Sequence, residues 1–109
     1  MAHYGHTHID NGDVNSQEII LGGANLIAVQ IPSAMTNTSL KVQAKFDADD
    51  DWDDLYYQGV LVSVSATPST KQKFSPGSLV GLYSVRLVAT GVGNETARRE
   101  LSLQIDGLV

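Results

Sequence analysis

Along Leu40-Lys41-Val42-Gln43-Ala44-Lys45-Phe46 every second side chain is apolar, so Leu40, Val42, Ala44 and Phe46 share one face and Lys41, Gln43 and Lys45 the other. A period of two predicts a β-strand with one buried face. Arg99-Glu100-Leu101-Ser102-Leu103-Gln104-Ile105 repeats the pattern, with Leu101, Leu103 and Ile105 inward. Tyr83 to Ala89 alternates as well, but Val88 falls on the otherwise polar face, which predicts burial on both sides or a subunit contact. Leu26 to Ile31 and Gly59 to Val64 are aliphatic and β-branched, and stop near Pro32 and Pro68, where a ladder donor is lost. Glu18 to Leu21 and Lys71 to Phe74 are shorter strand candidates, and Gly22-Gly23, Pro76-Gly77 and Gly91-Val92-Gly93-Asn94 read as turns.

Residues 1–16 break this pattern. They hold three histidines, several turn formers and few apolar side chains, with neither a helical nor a strand period, and predict an extended N-terminal arm. Residues 17–109 then form the domain. No stretch supports an amphipathic helix longer than about two turns. Seven or eight short strands separated by turn residues predict an all-β fold, a compact antiparallel β-sandwich of jelly-roll-like form, rather than a barrel around a ligand cavity.

Composition narrows the function classes. A chain of 109 residues makes one small core and leaves no room for a second lobe. Without cysteine there is no disulfide, thiolate metal site or cysteine nucleophile. A net charge of −5, with seven dispersed cations, argues against nucleic acid, which demands a basic stripe. The first residues lack the apolar core of a secretory signal, and no apolar run approaches the roughly 20 residues of a membrane span. A soluble protein without membrane or nucleic-acid partners is expected.

Candidate chemistry is confined to three places. The run Asp47-Ala48-Asp49-Asp50-Asp51-Trp52-Asp53-Asp54 carries half of the twelve acidic residues. Asp47, Asp49, Asp51 and Asp53 copy the opening offsets of a calcium loop, but Trp52 stands where glycine is needed and Gln58 where a bidentate glutamate is needed. The loop therefore reads as a solvated hairpin, with a bound cation as the sharper alternative. Trp52, Tyr56 and Tyr57 are either aromatic anchors or, with the adjacent aspartates, a platform for a sugar ring. His3, His6 and His8 lie close enough for two to meet one metal if the arm were rigid, but a polar arm packed on a partner is the simpler reading, and no metal or other cofactor is expected. Catalysis has little to work with: histidine occurs only in the arm, no nucleophile elbow or phosphate loop appears, and Asp53 with Asp54 or Glu95 with Glu100 are the pairs that could be drawn as acid and base. No enzyme is expected.

Read as one string, residues 17–105 resemble the small β-sandwich proteins encoded among the head genes of tailed bacteriophages. The likeness rests on Leu26-Ile27-Ala28-Val29-Gln30-Ile31-Pro32-Ser33-Ala34-Met35-Thr36, then Leu40-Lys41-Val42-Gln43-Ala44, Trp52-Asp53-Asp54-Leu55-Tyr56, Gly81-Leu82-Tyr83-Ser84-Val85-Arg86-Leu87 and Ala97-Arg98-Arg99-Glu100-Leu101-Ser102-Leu103. The chain departs from that pattern at Asp49-Asp50-Asp51, where such proteins tend to be glycine-rich, and in residues 1–14. The resemblance implies a capsid decoration, or cement, protein of the virion, made in the host bacterial cytoplasm. It would bind the major capsid protein on the head exterior and associate with itself, most simply as a homotrimer. Tyr4, His6, His8 and Ile9 of the arm would make the partner contacts, and Val88 a subunit contact. A carbohydrate-binding or adhesion module using Asp47, Asp49, Asp51, Trp52 and Asp53, or another head or tail component, is the alternative.

Overall fold

Alternating runs, frequent turns and the lack of any helical period leave this chain one way to bury its apolar side chains: as facing sheets. The computed structural model describes residues 2–107, with side chains from Tyr4 onward, so Met1, Leu108, Val109 and the His3 ring lie outside the described residues. Among those described, the strands are β1 (Ala2–Ile9), β2 (Ile19–Ile20), β3 (Asn25–Gln30), β4 (Ser39–Lys45), β5 (Asp53–Asp54), β6 (Tyr56–Tyr57), β7 (Val60–Leu61), β8 (Ser63–Ser65), β9 (Lys71–Lys73), β10 (Ser84–Thr90) and β11 (Arg99–Asp106). One sheet has the order β1-β11-β3-β9, the other β2-β10-β4-β5 with β8 also on β4, and β6 pairs with β7 alone. Every pairing is antiparallel, and the fold is an all-β sandwich.

The inward faces are those the alternation marks. Leu26, Val29, Leu101 and Leu103 of the first sheet and Leu40, Val42, Val85 and Leu87 of the second are at most 2% exposed. At roughly 1.5–3 kcal/mol for each such side chain buried, this layer is the main source of stability.

The structure differs from the pattern in four places, each for a local reason. Residues 2–9, which show no apolar alternation, form β1 and pair with β11 from Ala2↔Asp106 to Ile9↔Arg99. Gly5, Thr7 and Ile9 face inward, and because two of these three are not apolar the strand is hidden from a hydrophobic pattern. The chain then crosses to the second sheet: the Ala89 N–H donates to Val14 O, the Ser16 N–H to Leu87 O and Ile19 pairs with Val85, so residues 14–20 run along β10. This same segment accounts for Val88, which forms a bridge with Asn15 and is only 6% exposed within a single chain, so it is not a subunit contact. Phe46, expected on the inner face, is 76% exposed; its N–H is taken by the Asp50 carboxylate at 2.9 Å, which turns the chain outward just past β4. The run Gly59 to Val64 opens with a tight hairpin from β6 to β7 at Gln58 (φ 53°) and Gly59 (φ 80°) and is cut into β7 and β8 at Val62, whose N–H donates to Leu55 O while its carbonyl accepts from the Val42 N–H.

Ile9, fully buried, joins the edge strand to the core. Ile9→Ala should cost about 2–5 kcal/mol in urea unfolding; a change below about 0.5 kcal/mol, as expected for an unpacked arm, would contradict this placement.

Candidate functional site

The second sheet covers its own outer face. Lys41, Gln43 and Lys45 alternate outward from β4, and Arg86 from β10. Arg86 Nε donates to Gln43 Oε1 at 2.8 Å, Gln43 Nε2 donates to Asp54 Oδ1 at 3.0 Å, and Lys41 Nζ lies 3.1 Å from the same carboxylate. Hydrogen bonds from Gln43 and then Lys41, against a small opposing effect of burial, hold Asp54 below the ordinary aspartate range. Burial lowers the Arg86 pKa, with the Asp13 carboxylate opposing it, and the group remains charged. Trp52 meets two cations: the Lys45 ammonium and the Arg86 guanidinium each sit 4.8 Å from its ring centre. These two contacts tie the half-buried ring to the outer face of the sheet.

The acidic run is a turn closed on itself. Asp50 accepts from the N–H groups of Phe46 and Asp51, and Asp47 from that of Asp49. Asp47, Asp49, Asp51 and Asp53 are exposed. Among the described residues no three histidine or acidic side chains are grouped so as to hold a metal ion, in this loop or in β1. His8 instead has its Nδ1 3.1 Å from Arg98 Nη2 and its Nε2 3.4 Å from the Asp10 carboxylate.

The pairing of Glu95 with Glu100 as acid and base does not occur. Glu100 is exposed and ion-paired with Arg98 at 2.7 Å. Glu95, with a side chain 0% exposed, accepts four hydrogen bonds: from the Thr36 N–H (2.8 Å), Arg99 Nε (2.9 Å), the Asn37 N–H (3.0 Å) and Asn37 Nδ2 (2.6 Å). Burial alone would raise its pKa, but the Thr36 N–H, the Asn37 amide, Arg99 and the Asn37 N–H outweigh it and hold the carboxyl below the ordinary range. Asn37 Oδ1 in turn accepts from Val92 and Gly93 N–H groups. Nothing in the sequence marks this cluster, whose members come from loops 58 residues apart.

The first sheet leaves its outer face open. Its register aligns two rows of side chains across four strands: Tyr4, Gln104, Ala28 and Lys73, then His6, Ser102, Gln30 and Lys71. With small Ala28 and Ser102 at the floor, Tyr4 on one side and the two lysines on the other, the rows enclose a shallow groove of about 240 Å³. Tyr4 is 83% exposed, and His6, Lys71 and Lys73 are exposed too. No acidic partner of either lysine occurs among the described residues. Of the arm residues expected to make contacts, Tyr4 and His6 therefore lie on an available surface, His8 is half-buried beside it, and Ile9 is instead a core residue. The other groove residues escape sequence reading because strand order, not spacing, unites them.

Glu95→Ala should destabilise by about 3–5 kcal/mol, since it leaves Arg99 and the Asn37 amide without their acceptor. A carboxyl with a depressed native pKa adds stability that is complete above the range where an unfolded glutamate titrates and is lost as pH falls through its native pKa. Urea unfolding across acid pH should therefore show stability declining on acidification, with a shallower decline in Glu95→Gln; equal slopes would refute the assignment.

The architecture has a counterpart among solved structures. The crystal structure of the SPBc2 prophage-derived protein YomS resembles this chain with a TM-score of 0.59 at 12% identity, over 97% of this chain and 96% of that one. No family model matches the sequence, and no curated protein matches it. At that identity the likeness establishes a shared fold: this β-sandwich, with nearly all of the chain included, is one also built by a prophage-derived protein.

Proposed function

We propose that the chain is a phage virion structural protein that decorates the capsid exterior, docking on the major capsid protein through the outer face of its first sheet. The end-to-end likeness in fold to a prophage-derived protein carries this reading. The asymmetry of the sandwich supports the choice of face: one sheet is covered by its own Trp52, Arg86 and Asp54, while the other exposes Tyr4, His6, Lys71 and Lys73. On a chain of net charge −5 these two lysines form a local cationic rim suited to an acidic surface. The role is non-catalytic. Synthesis in the host cytoplasm would be followed by attachment to assembled heads. Weak contacts suffice there, because symmetry repeats the site across the shell and linked contacts gain by effective concentration.

The test is co-sedimentation with heads of the phage that encodes the protein. Saturable binding is expected, and Lys71→Glu with Lys73→Glu should weaken it at least about ten-fold, roughly 1.4 kcal/mol. Absence of the wild-type protein from the head pellet would overturn the reading. Binding unchanged by the double variant would overturn the assigned face.

A further inference from the structure

The edges of the two sheets are not alike. In the first sheet, β9 ends the order with three residues, Lys71-Gln72-Lys73, short and charged, as protected edges are. In the second, β5 is two residues long and acidic, and the segment along β10 on the other side is interrupted between Ser16 and Ile19. β1 is different: eight residues, Ala2-His3-Tyr4-Gly5-His6-Thr7-His8-Ile9, without lysine, acid, proline or bulge.

Which of its backbone groups are free follows from one hydrogen bond. His8 O accepts from the Gln17 N–H at 3.0 Å, on the side of the strand away from β11. Backbone groups alternate sides along a strand, so those of Ala2, Tyr4 and His6 point to this same outer edge, and no described residue pairs with Tyr4 or His6 there. Residues 16 and 17 close the edge at Ile9 and His8 and leave it open below.

We infer that this open edge pairs with the same edge of a second copy of the chain, β1 against β1 across a two-fold axis at Tyr4. Three observations select a second copy and this register. The exposed stretch carries no lysine or carboxylate, so it meets itself without like-charge repulsion. Antiparallel pairing about Tyr4 sets Tyr4 opposite Tyr4 and Ala2 opposite His6, which matches outward-pointing groups with one another. In this register the partner's Ala2 lies opposite His6, short of the obstruction that Gln17 makes at His8, whereas a two-fold axis at Gly5 would set the partner's Ala2 opposite His8 and against it. The product is one continuous eight-stranded sheet, and two Tyr4 rings, each 83% exposed in the single chain, lie side by side on its outer face. This inference stands apart from capsid binding, since it concerns the free protein.

Light scattering of the purified full chain reads it directly. The molar mass should rise with concentration from 11.7 kDa to twice that value, and the Tyr4 and His6 amides should become protected from hydrogen exchange in the same range. Tyr4→Lys and Tyr4→Glu place like charges across the axis and should each shift the protein to monomer, while an equimolar mixture of the two should recover the doubled mass. Both changes are at an exposed position, and an unchanged melting temperature at low concentration verifies folding. Tyr4→Pro, which removes an outward N–H and leaves the β11 ladder intact, should also give monomer. A wild-type mass that stays at 11.7 kDa, a trimer, or a dimer indifferent to these substitutions overturns the inference.

Discussion

One buried carboxylate holds together the end of the sandwich where the loops meet. Glu95 takes four donors from Thr36, Asn37 and Arg99, its own N–H donates to Asp13 O, and its carbonyl accepts from Gly12. It thereby fixes the loop between β3 and β4, the loop between β10 and β11, and the turn that carries the chain from the first sheet to the second. A charge in such a place is tolerable only when every lone pair is used, and here the coordination is full. Geometry around it is correspondingly narrow: Gly91, at φ 120°, lies so near Thr38 that a Cβ would strike the threonine hydroxyl. Asn37 holds the adjoining Val92 and Gly93 amides, and so extends the carboxylate's hold to the turn itself.

Fixing that turn is what makes the first twenty residues part of the domain. β1 completes the first sheet, residues 14–20 line the second, and two hydrogen bonds tie one to the other: Thr7 Oγ1 donates to Gln17 O, and the Gln17 N–H donates to His8 O. These contacts are made through backbone and small polar groups. A hydrophobic period registers burial only where the inward side chains are apolar, and in β1 these are Gly5, Thr7 and Ile9. The long strands β4, β10 and β11 were legible for the converse reason, because Leu40, Val42, Leu87, Leu101 and Leu103 repeat at intervals of two.

The candidate surface was less legible than the fold. Tyr4 and His6 could be singled out as unpatterned aromatics near the start of the chain, but Ala28, Gln30, Lys71 and Lys73 look like unremarkable strand residues. They become neighbours only through the order β1-β11-β3-β9, which periodicity does not encode. Trp52 could be read from the sequence as an anchor or as a platform, and its partners could not be read at all. The outward cations of β4 and β10, Lys45 and Arg86, hold it against the sheet, and only the pairing of those strands brings them together.

That recruitment distinguishes the two outer faces. Over β4 and β10 the second sheet carries an outer layer of Trp52, Arg86, Gln43 and Asp54, together with Glu18 on Ser84 at 2.7 Å, and a partner would have to displace paired charges to reach those strands. Each displacement costs the hydrogen bonds and ring contacts already made within the chain. The first sheet has no such layer, and its groove is floored by a methyl group and a hydroxyl. A partner on its open edge or its open face would therefore displace few contacts of the folded chain, and Tyr4 belongs to both. A strand partner added at β1 extends the face beside the groove without covering Lys71 or Lys73, which stand on the far strand. Self-association through the edge and docking through the face are in this way compatible uses of one sheet, and a pair of chains would present two cationic rims facing the same way.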